Sequence, residues 1–326
     1  MQKKIEDITP EKWEKVNVEN KKMVDEFLKQ NVQLSSETIS QYESALKIYY
    51  WWVFENGDNK PFHALKSRDF LRFQNWLTER GMSSSGIKLK RSAVSSFNNY
   101  IEVYYLDEYP TFRNYITKGI PLPTPVAVHK KEPLTMAEYI SLCGRLEELE
   151  LYQQLAYLKF SFSSAARRAE VIQLLKSDLE TEPKQVTSDG KTINVYNTHP
   201  IRCKGRGKIG KVKPLQFDDD AREALMKWLE IRGDDDCPYV FVAKHNGKYS
   251  QISKATLNVW TETYFADIVG RRVHPHLFRS TRATILTVEQ GKDIRAAQKL
   301  LGHKSSVTTE TYVIRKDEDD ADEAFT

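Results

Sequence analysis

The chain has 326 residues, 40% hydrophobic and 29% charged, with a formal net charge of +4. That length suits two domains, each with its own core, and no apolar run approaches the roughly 18–20 residues that span a bilayer. Six acids and no bases fall in residues 317–326, leaving +10 on the rest, a balance that suits a polyanionic partner. Three widely spaced cysteines, Cys143, Cys203 and Cys237, form neither a disulfide framework nor a zinc finger. Met1-Gln2-Lys3-Lys4-Ile5-Glu6-Asp7 has no apolar stretch behind its lysines and is not a secretory signal. A cytoplasmic protein with no membrane partner is the expectation.

Residues 1–33 read as a polar N-terminal helical extension in which Pro10 opens a helix. Residues 34–116 read as a small helical bundle. In its first helix Ser36 is the expected N-cap, Ile39, Tyr42, Leu46, Tyr49 and Val53 recur at 3–4 residue spacing, and Gly57 stops the run. A second helix starts at Ser67 and ends at Gly81, with Phe70, Phe73, Trp76 and Leu77 on one face. A third spans about Ser84 to Tyr105, with Ile87, Val94, Phe97 and Ile101 as its apolar side. The run Tyr49-Tyr50-Trp51-Trp52 reads as core. On the third helix Lys88, Lys90 and Arg91 sit beside Ser92, Ser95, Asn98 and Asn99. Two readings of that face stay open: a solvated surface, or a helix laid along a DNA groove with bases on phosphates and amides near base edges.

Residues 117–133 hold Pro121, Pro123, Pro125 and Pro133, with Lys130 and Lys131 before the last, and read as a basic, extended linker. A second domain over 134–316 opens on Thr135-Met136-Ala137-Glu138, a capping-box pattern. Helices are expected to about Leu179, then strands over 184–217 with Asp189-Gly190 as a hairpin turn, then helices over 219–232 and from Ser253 onward. The acidic stretch 317–326 forms a tail. The fold class is therefore mainly α with a small antiparallel β-sheet in the C-terminal domain.

Chemistry concentrates in that second domain. Arg167, Lys204, His276, Arg279, His303 and Tyr312 carry the groups needed to attack a phosphodiester. A guanidinium pairs two phosphate oxygens and stays charged at working pH. A lysine or histidine can move a proton to or from the reacting oxygens. Tyrosine can be the nucleophile, although its ordinary pKa near ~10 calls for a helper base or cation. Taken singly, each has a bland reading: Arg167 and Glu170 as a helical ion pair, Lys204 as a solvated hairpin residue, Tyr312 as packing, and His274 with His276 as a metal pair lacking a third ligand.

In order and spacing, these residues resemble the tyrosine recombinases, the phage-integrase family that includes the Xer and Cre enzymes. Ser164-Ala165-Ala166-Arg167-Arg168-Ala169-Glu170-Val171 is similar to the family's first box, usually Thr-Gly-Leu-Arg-Ile-Ser-Glu-Leu, without its glycine. Cys203-Lys204-Gly205-Arg206-Gly207-Lys208 followed by Val212-Lys213-Pro214-Leu215 resembles the lysine hairpin, with Lys204 as the catalytic lysine and Lys208 as the other candidate. His274-Pro275-His276-Leu277-Phe278-Arg279 resembles the second box, whose histidine lies three before its arginine and so selects His276. Leu301-Gly302-His303 and Tyr312 resemble the closing histidine and nucleophile.

The resemblance implies a helical core-binding domain joined to a tyrosine-recombinase catalytic domain. It implies cleavage through a 3′-phosphotyrosyl link and rejoining through a Holliday junction, for integration or excision, resolution or inversion, with neither metal nor cofactor. Arg167 and Arg279 would clamp the phosphate, Lys204 would protonate the leaving oxygen, His276 would take the tyrosine proton and His303 would hydrogen-bond the phosphate, with Glu170 in support. Lys88, Lys90, Arg91, Lys130, Lys131, Arg206 and Lys208 are the candidate DNA contacts. The implied partners are double-stranded DNA sites, a tetramer of this chain on two sites, and an accessory bending or directionality protein. Three alternatives remain at this stage: a type IB topoisomerase-like enzyme, a telomere resolvase, and a regulator that binds without cleaving.

Overall fold

The computed structural model describes residues 5–117, 119–124, 132–188, 190–203, 210–302, 306–310 and 312–313. It divides into two compact units, one N-terminal through Lys130 and one C-terminal from Lys131. Among the described residues no helix is long and apolar enough to cross a membrane.

The N-terminal unit comprises α1 (Pro10–Glu14), α2 (Val18–Gln30), α3 (Ser36–Asn56), α4 (Ser67–Glu79) and α5 (Ser84–Tyr104). Side-chain caps set several starts: Thr9 accepts from the Lys12 amide, Asn17 from the Glu19 and Asn20 amides, and Ser83 from the Gly86 amide. The cap of α3 is Ser35 rather than Ser36, because Ser35 is extended and its hydroxyl accepts from the Thr38 amide. Inside, rings dominate. Tyr49, Tyr50, Phe73 and Phe97 are fully buried and meet edge to face or tilted. The Tyr49 and Tyr115 hydroxyls bond each other at 3.1 Å, which satisfies polar ends that burial would otherwise penalise. From α2, Phe27 enters the same core and presents its ring edgewise to Phe97 at 5.7 Å.

The C-terminal unit begins with α6 (Met136–Glu148), whose capping box forms as the sequence indicates. Thr135 Oγ1 accepts from the Glu138 amide at 3.1 Å, and Glu138 Oε2 accepts from the Thr135 amide at 2.8 Å. Next come α7 (Tyr152–Ser164), the four-residue α8 (Arg168–Val171) and a 3-10 turn, Lys176–Glu180. The helix α7 is buried on nearly all sides, with Tyr157 packed among Phe241, Trp260 and Phe278.

Five short strands follow: β1 (Lys184–Ser188), β2 (Lys191–Asn197), β3 (Ile201–Cys203), β4 (Lys211–Lys213) and β5 (Gln216–Phe217). Strands β1, β2 and β5 form one antiparallel sheet in that order, and β3 pairs with β4 as a separate antiparallel ladder. Beyond α9 (Asp219–Arg232) lies a hairpin that the sequence reading passed over, β6 (Val242–His245) with β7 (Lys248–Gln251). Its turn, Asn246-Gly247, has φ of 47° and 78°, the positive pair that a two-residue hairpin turn favours.

The chain closes with α10 (Lys254–Trp260), a π-helical turn (Thr261–Phe265) and α11 (Ala266–Val269). Then follow α12 (Pro275–Thr284) running into a second π-helical turn (Ile285–Glu289), α13 (Ile294–Leu301) and α14 (Ser306–Glu310). The mainly helical class with small antiparallel sheets is as expected from the sequence.

Candidate active site

Four elements of the C-terminal unit bring the site together. The first is the break between α7 and α8. Ala165 closes α7 in the left-handed region at φ 50° and ψ 30°, fully buried, and Arg167 then turns extended to cap α8. Glu170 is 1% exposed and binds Arg167 twice. Its Oε2 accepts from the Arg167 amide at 2.9 Å and its Oε1 from Nη1 at 3.0 Å. A carboxylate this buried needs such partners, and it holds the Arg167 side chain, 22% exposed, in one direction.

The second element is α12, opened by Pro275, where proline's missing amide does no harm. One turn in, Arg279 is 2% exposed. Its Nη1 donates to Ala165 O at 2.6 Å and its Nη2 to Leu301 O at 2.5 Å. Burial, then the neighbouring Arg167 charge, pushes its pKa down to about 10, so it stays a cation at neutral pH. His276 lies three residues earlier and is exposed.

The third element is the segment after α13 and α14. Tyr312 is half-buried, and its amide donates to Thr309 O at 2.8 Å. The Arg279 guanidinium carbon lies 5.4 Å from the Tyr312 ring centroid, and the two side chains are hydrogen-bonded. The His276 ring lies 5.7 Å from the same ring. Leu301, Ala283 and Ala165 form a small apolar cluster against which Tyr312 packs. Arg167, Glu170, His276, Arg279 and Tyr312 thus share one corner of the unit. Lys204, Arg206, Lys208, His303, Lys130, Lys131 and the tail 317–326 lie outside the described residues.

The fourth element, the β3–β4 ladder, supplies residues that sequence reasoning missed. Ile201 pairs with Lys213 and Cys203 with Lys211, so both lysines share the face of two buried side chains while Val212 points outward, 51% exposed. Lys213 Nζ donates to Leu300 O at 3.2 Å, and burial lowers its pKa. Cys203 is raised to about 11, first by burial and next by the charge of Glu170, to which its thiol is hydrogen-bonded. This placement rests on the pairing register with β3, which the sequence of the segment does not itself reveal.

In the N-terminal unit the expected basic face is split. Lys88 is exposed, whereas Lys90 and Arg91 are half-buried and burial lowers both pKa values. Arg91 Nη2 donates to Thr117 O at 2.9 Å, and its Nη1 reaches Gln74 Oε1 at 3.4 Å. Of the amides read as facing a groove, Asn98 is fully buried and donates to Asn114 Oδ1 at 3.2 Å, so it belongs to the core. Lys88, Arg91, Ser92 and Ser95 nonetheless line one shallow concavity with Tyr42 and Leu122.

Comparison with known proteins gives the chain its family. The phage integrase family matches residues 133–319, and the phage integrase N-terminal SAM-like domain matches residues 24–102. The SPbeta prophage-derived recombinase-like protein YomM of Bacillus subtilis is 33% identical over 99% of this chain and 95% of its own length. The tyrosine recombinase XerA of Thermococcus onnurineus is 27% identical over 85% of this chain and 90% of its own. Among solved structures, the XerH recombinase bound to its difH substrate after cleavage superposes with a TM-score of 0.65 at 19% identity, over 88% of this chain and 78% of that one. The Tn1549 transposon integrase with circular-intermediate DNA reaches 0.66 at 17% identity, over 94% and 99%; likenesses of this kind concern the fold alone. The class is that of the tyrosine recombinases, enzymes of site-specific DNA recombination. Within it, this chain belongs to the phage integrase family.

Proposed function

We propose that this recombinase cleaves duplex DNA with Tyr312 as nucleophile and Arg167 and Arg279 as the phosphate clamp. The observation that carries the reading is the meeting of Tyr312 with a buried Arg279, a cation at neutral pH, and with the His276 ring. In this reading the Tyr312 oxygen bonds to phosphorus and its proton passes to His276. The bond from phosphorus to the 5′ oxygen breaks, and that oxygen takes a proton from Lys204. A 3′-phosphotyrosyl link and a free 5′-hydroxyl result. Because the link conserves the ester, attack by another strand's 5′-hydroxyl reverses the step without an external energy source.

Charge builds on the nonbridging oxygens as the phosphorus becomes five-coordinate. Arg279, already desolvated and fixed by two backbone carbonyls, meets that charge without reorganising. Arg167, aimed by Glu170, supplies the second contact. Lys204, with Lys208 as the other candidate, and His303 complete the set by family resemblance.

The domain roles are likewise proposed: 34–116 as the core-binding domain with 1–33 as its extension, 117–133 as linker, and 134–316 as the catalytic domain. Lys88, Lys90 and Arg91 would touch DNA phosphates together with Lys130, Lys131, Arg206 and Lys208. Exposed Lys88 fits that role most directly, and binding should weaken steeply with salt. Four protomers would join two DNA sites through a Holliday junction, with an accessory protein setting direction, in the cytoplasm. The relatives and solved structures described above are recombinases and integrases, which favours recombination over a topoisomerase, a telomere resolvase or a non-cleaving regulator.

Covalent capture tests the reading. Wild type and Tyr312→Phe are incubated with nicked fragments of the DNA flanking the source gene, quenched in detergent, and the attached DNA is sequenced. The expected result is adducts at a discrete site with wild type and none with the variant. Adduct formation by Tyr312→Phe at the wild-type level would overturn the nucleophile.

A further inference from the structure

Three cations sit on three successive carbonyls at the end of α13. Lys213 Nζ donates to Leu300 O at 3.2 Å, Arg279 Nη2 to Leu301 O at 2.5 Å, and Lys211 Nζ to Gly302 O at 3.5 Å. These carbonyls lie at the end of a helix that carries partial negative charge and lacks intrahelical donors, so cations suit it. Arg279 has its role in clamping phosphate. The lysines do not, and the sequence alone marked neither.

Lys213 lies closest to the turn. A Cβ built on Gly302 would stand 2.8 Å from Lys213 Nζ and 3.0 Å from Cε, so the lysine stem lies directly on the glycine. Gly302 itself has φ 66°, the left-handed cap that ends α13. The base of Lys213 is firm. Its partner across the ladder, Ile201, is fully buried, and the neighbouring Cys203 bonds Glu170, the residue that aims Arg167. One side chain therefore ties the strand beside the Arg167–Glu170 pair to the point where the chain leaves α13 toward His303 and Tyr312.

We propose that Lys213 is a positioning residue for strand cleavage, holding the end of α13 from β4 and so setting the place of the nucleophile segment. This rests on the reading of Tyr312 as nucleophile and deepens it. Lys213 acts through backbone, not on the reacting atoms: its amine is engaged by Leu300 O. Misplacing a nucleophile by about 1 Å slows reaction on the order of 100-fold, so the loss expected for Lys213→Met is about 10- to 100-fold in cleavage.

Two measurements test it. In the free protein, amide hydrogen exchange over 300–313 should speed up by at least ~10-fold in Lys213→Met while α9 is unchanged, because the end of α13 loses its tie to Leu300 O and α9 loses nothing. Lys213→Arg, which can still reach the carbonyl, should stay near wild type. The second uses single-turnover cleavage of a nicked duplex bearing the captured site, with either oxygen or sulfur as the 5′ leaving atom. Sulfur leaves without protonation, so a positioning defect persists on both substrates while DNA affinity is kept. Unchanged exchange, a defect that sulfur erases, or a parallel loss of binding would overturn the proposal. Failure of the nucleophile assignment shows separately, as continued cleavage by Tyr312→Phe.

Discussion

The two units bury different things. In the N-terminal unit the largest fully buried side chains are rings, among them Tyr49, Tyr50, Phe73 and Phe97, and its buried carboxylate Asp69 accepts the Lys66 amide at a helix start. The C-terminal unit also packs rings, but beside its site it hides Arg279 and Glu170, and elsewhere Arg232 and Asp178. The difference fits the tasks proposed for the two units. Gripping a polyanion would require charge at the surface and a core that merely keeps helices in place. Stabilising a developing phosphate charge is most effective where water is excluded and the cations are already fixed. Desolvating Arg279 is unfavourable, and it is offset by the Ala165 and Leu301 carbonyls together with Glu170 and Tyr312 nearby.

Substitutions can break this comparison from either side. Phe97→Ala should have the largest effect on folding, destabilising the N-terminal unit by about 3–5 kcal/mol because several rings lose a partner at once. Thermal or denaturant unfolding would show the loss in that unit, with the C-terminal transition unmoved. Next come Arg279→Ala and Arg167→Ala, each expected to slow cleavage at least ~100-fold at saturating DNA, comparable to removing a fixed oxyanion donor. Single-turnover kinetics with a nicked duplex would reveal it; a smaller loss for Arg279 than for a surface lysine would contradict the assignment.

A third effect is on acid stability. Glu138 is held near about 2 by its hydrogen bonds from Arg271, reinforced by the Thr135 amide. Burial would raise Asp235, but the hydrogen bonds from Arg232, the Cys237 amide and Lys176 prevail and bring it to about 2. Both folded-state values lie below the ordinary carboxylate range. Their contribution is therefore complete above about pH 4.5 and is lost as pH falls toward about 2. Melting temperature of the C-terminal unit should fall across that window, and Glu138→Gln should flatten the decline; an unchanged slope in the variant would remove Glu138 from the account.

The smallest expected effect is at Ala165. Its left-handed φ of 50° costs on the order of 1 kcal/mol for a residue with a Cβ, about what burying its methyl contributes. Ala165→Gly should therefore shift stability by less than about 1 kcal/mol, as read by denaturant midpoint. This position is also where the resemblance to the first box lacks its glycine. The backbone keeps the glycine-like turn regardless, because Arg279 and a tight apolar cluster hold the Ala165 carbonyl and methyl in place.

Much of the architecture could be read from local chemistry. The capping box at Thr135 and Glu138, the three-residue spacing of His276 and Arg279, and the 3–4 residue periodicity of α3 to α5 are contacts between near neighbours in sequence. What escaped was non-local. The half-burial of Lys213 depends on its register with Ile201, and the reach of exposed Lys211 to Gly302 O on its register with Cys203. The burial of Asn98 depends on Asn114, and the half-burial of Arg91 on Thr117 and Gln74. The β6–β7 hairpin is different. Its Asn246-Gly247 signal was in plain view, but the strands beside it are short and carry Lys244, His245 and Lys248, which masks them as loop.

The most direct test of the account is the chemistry of the adduct itself. Wild-type protein trapped on its site is digested with protease and nuclease, and the nucleotide-bearing peptide is sequenced by mass spectrometry. The account predicts a single modified peptide with a 3′-linked nucleotide phosphate on Tyr312, and a free 5′-hydroxyl on the released strand. A nucleotide on any other residue, or a 5′-linked phosphate on Tyr312, would contradict it.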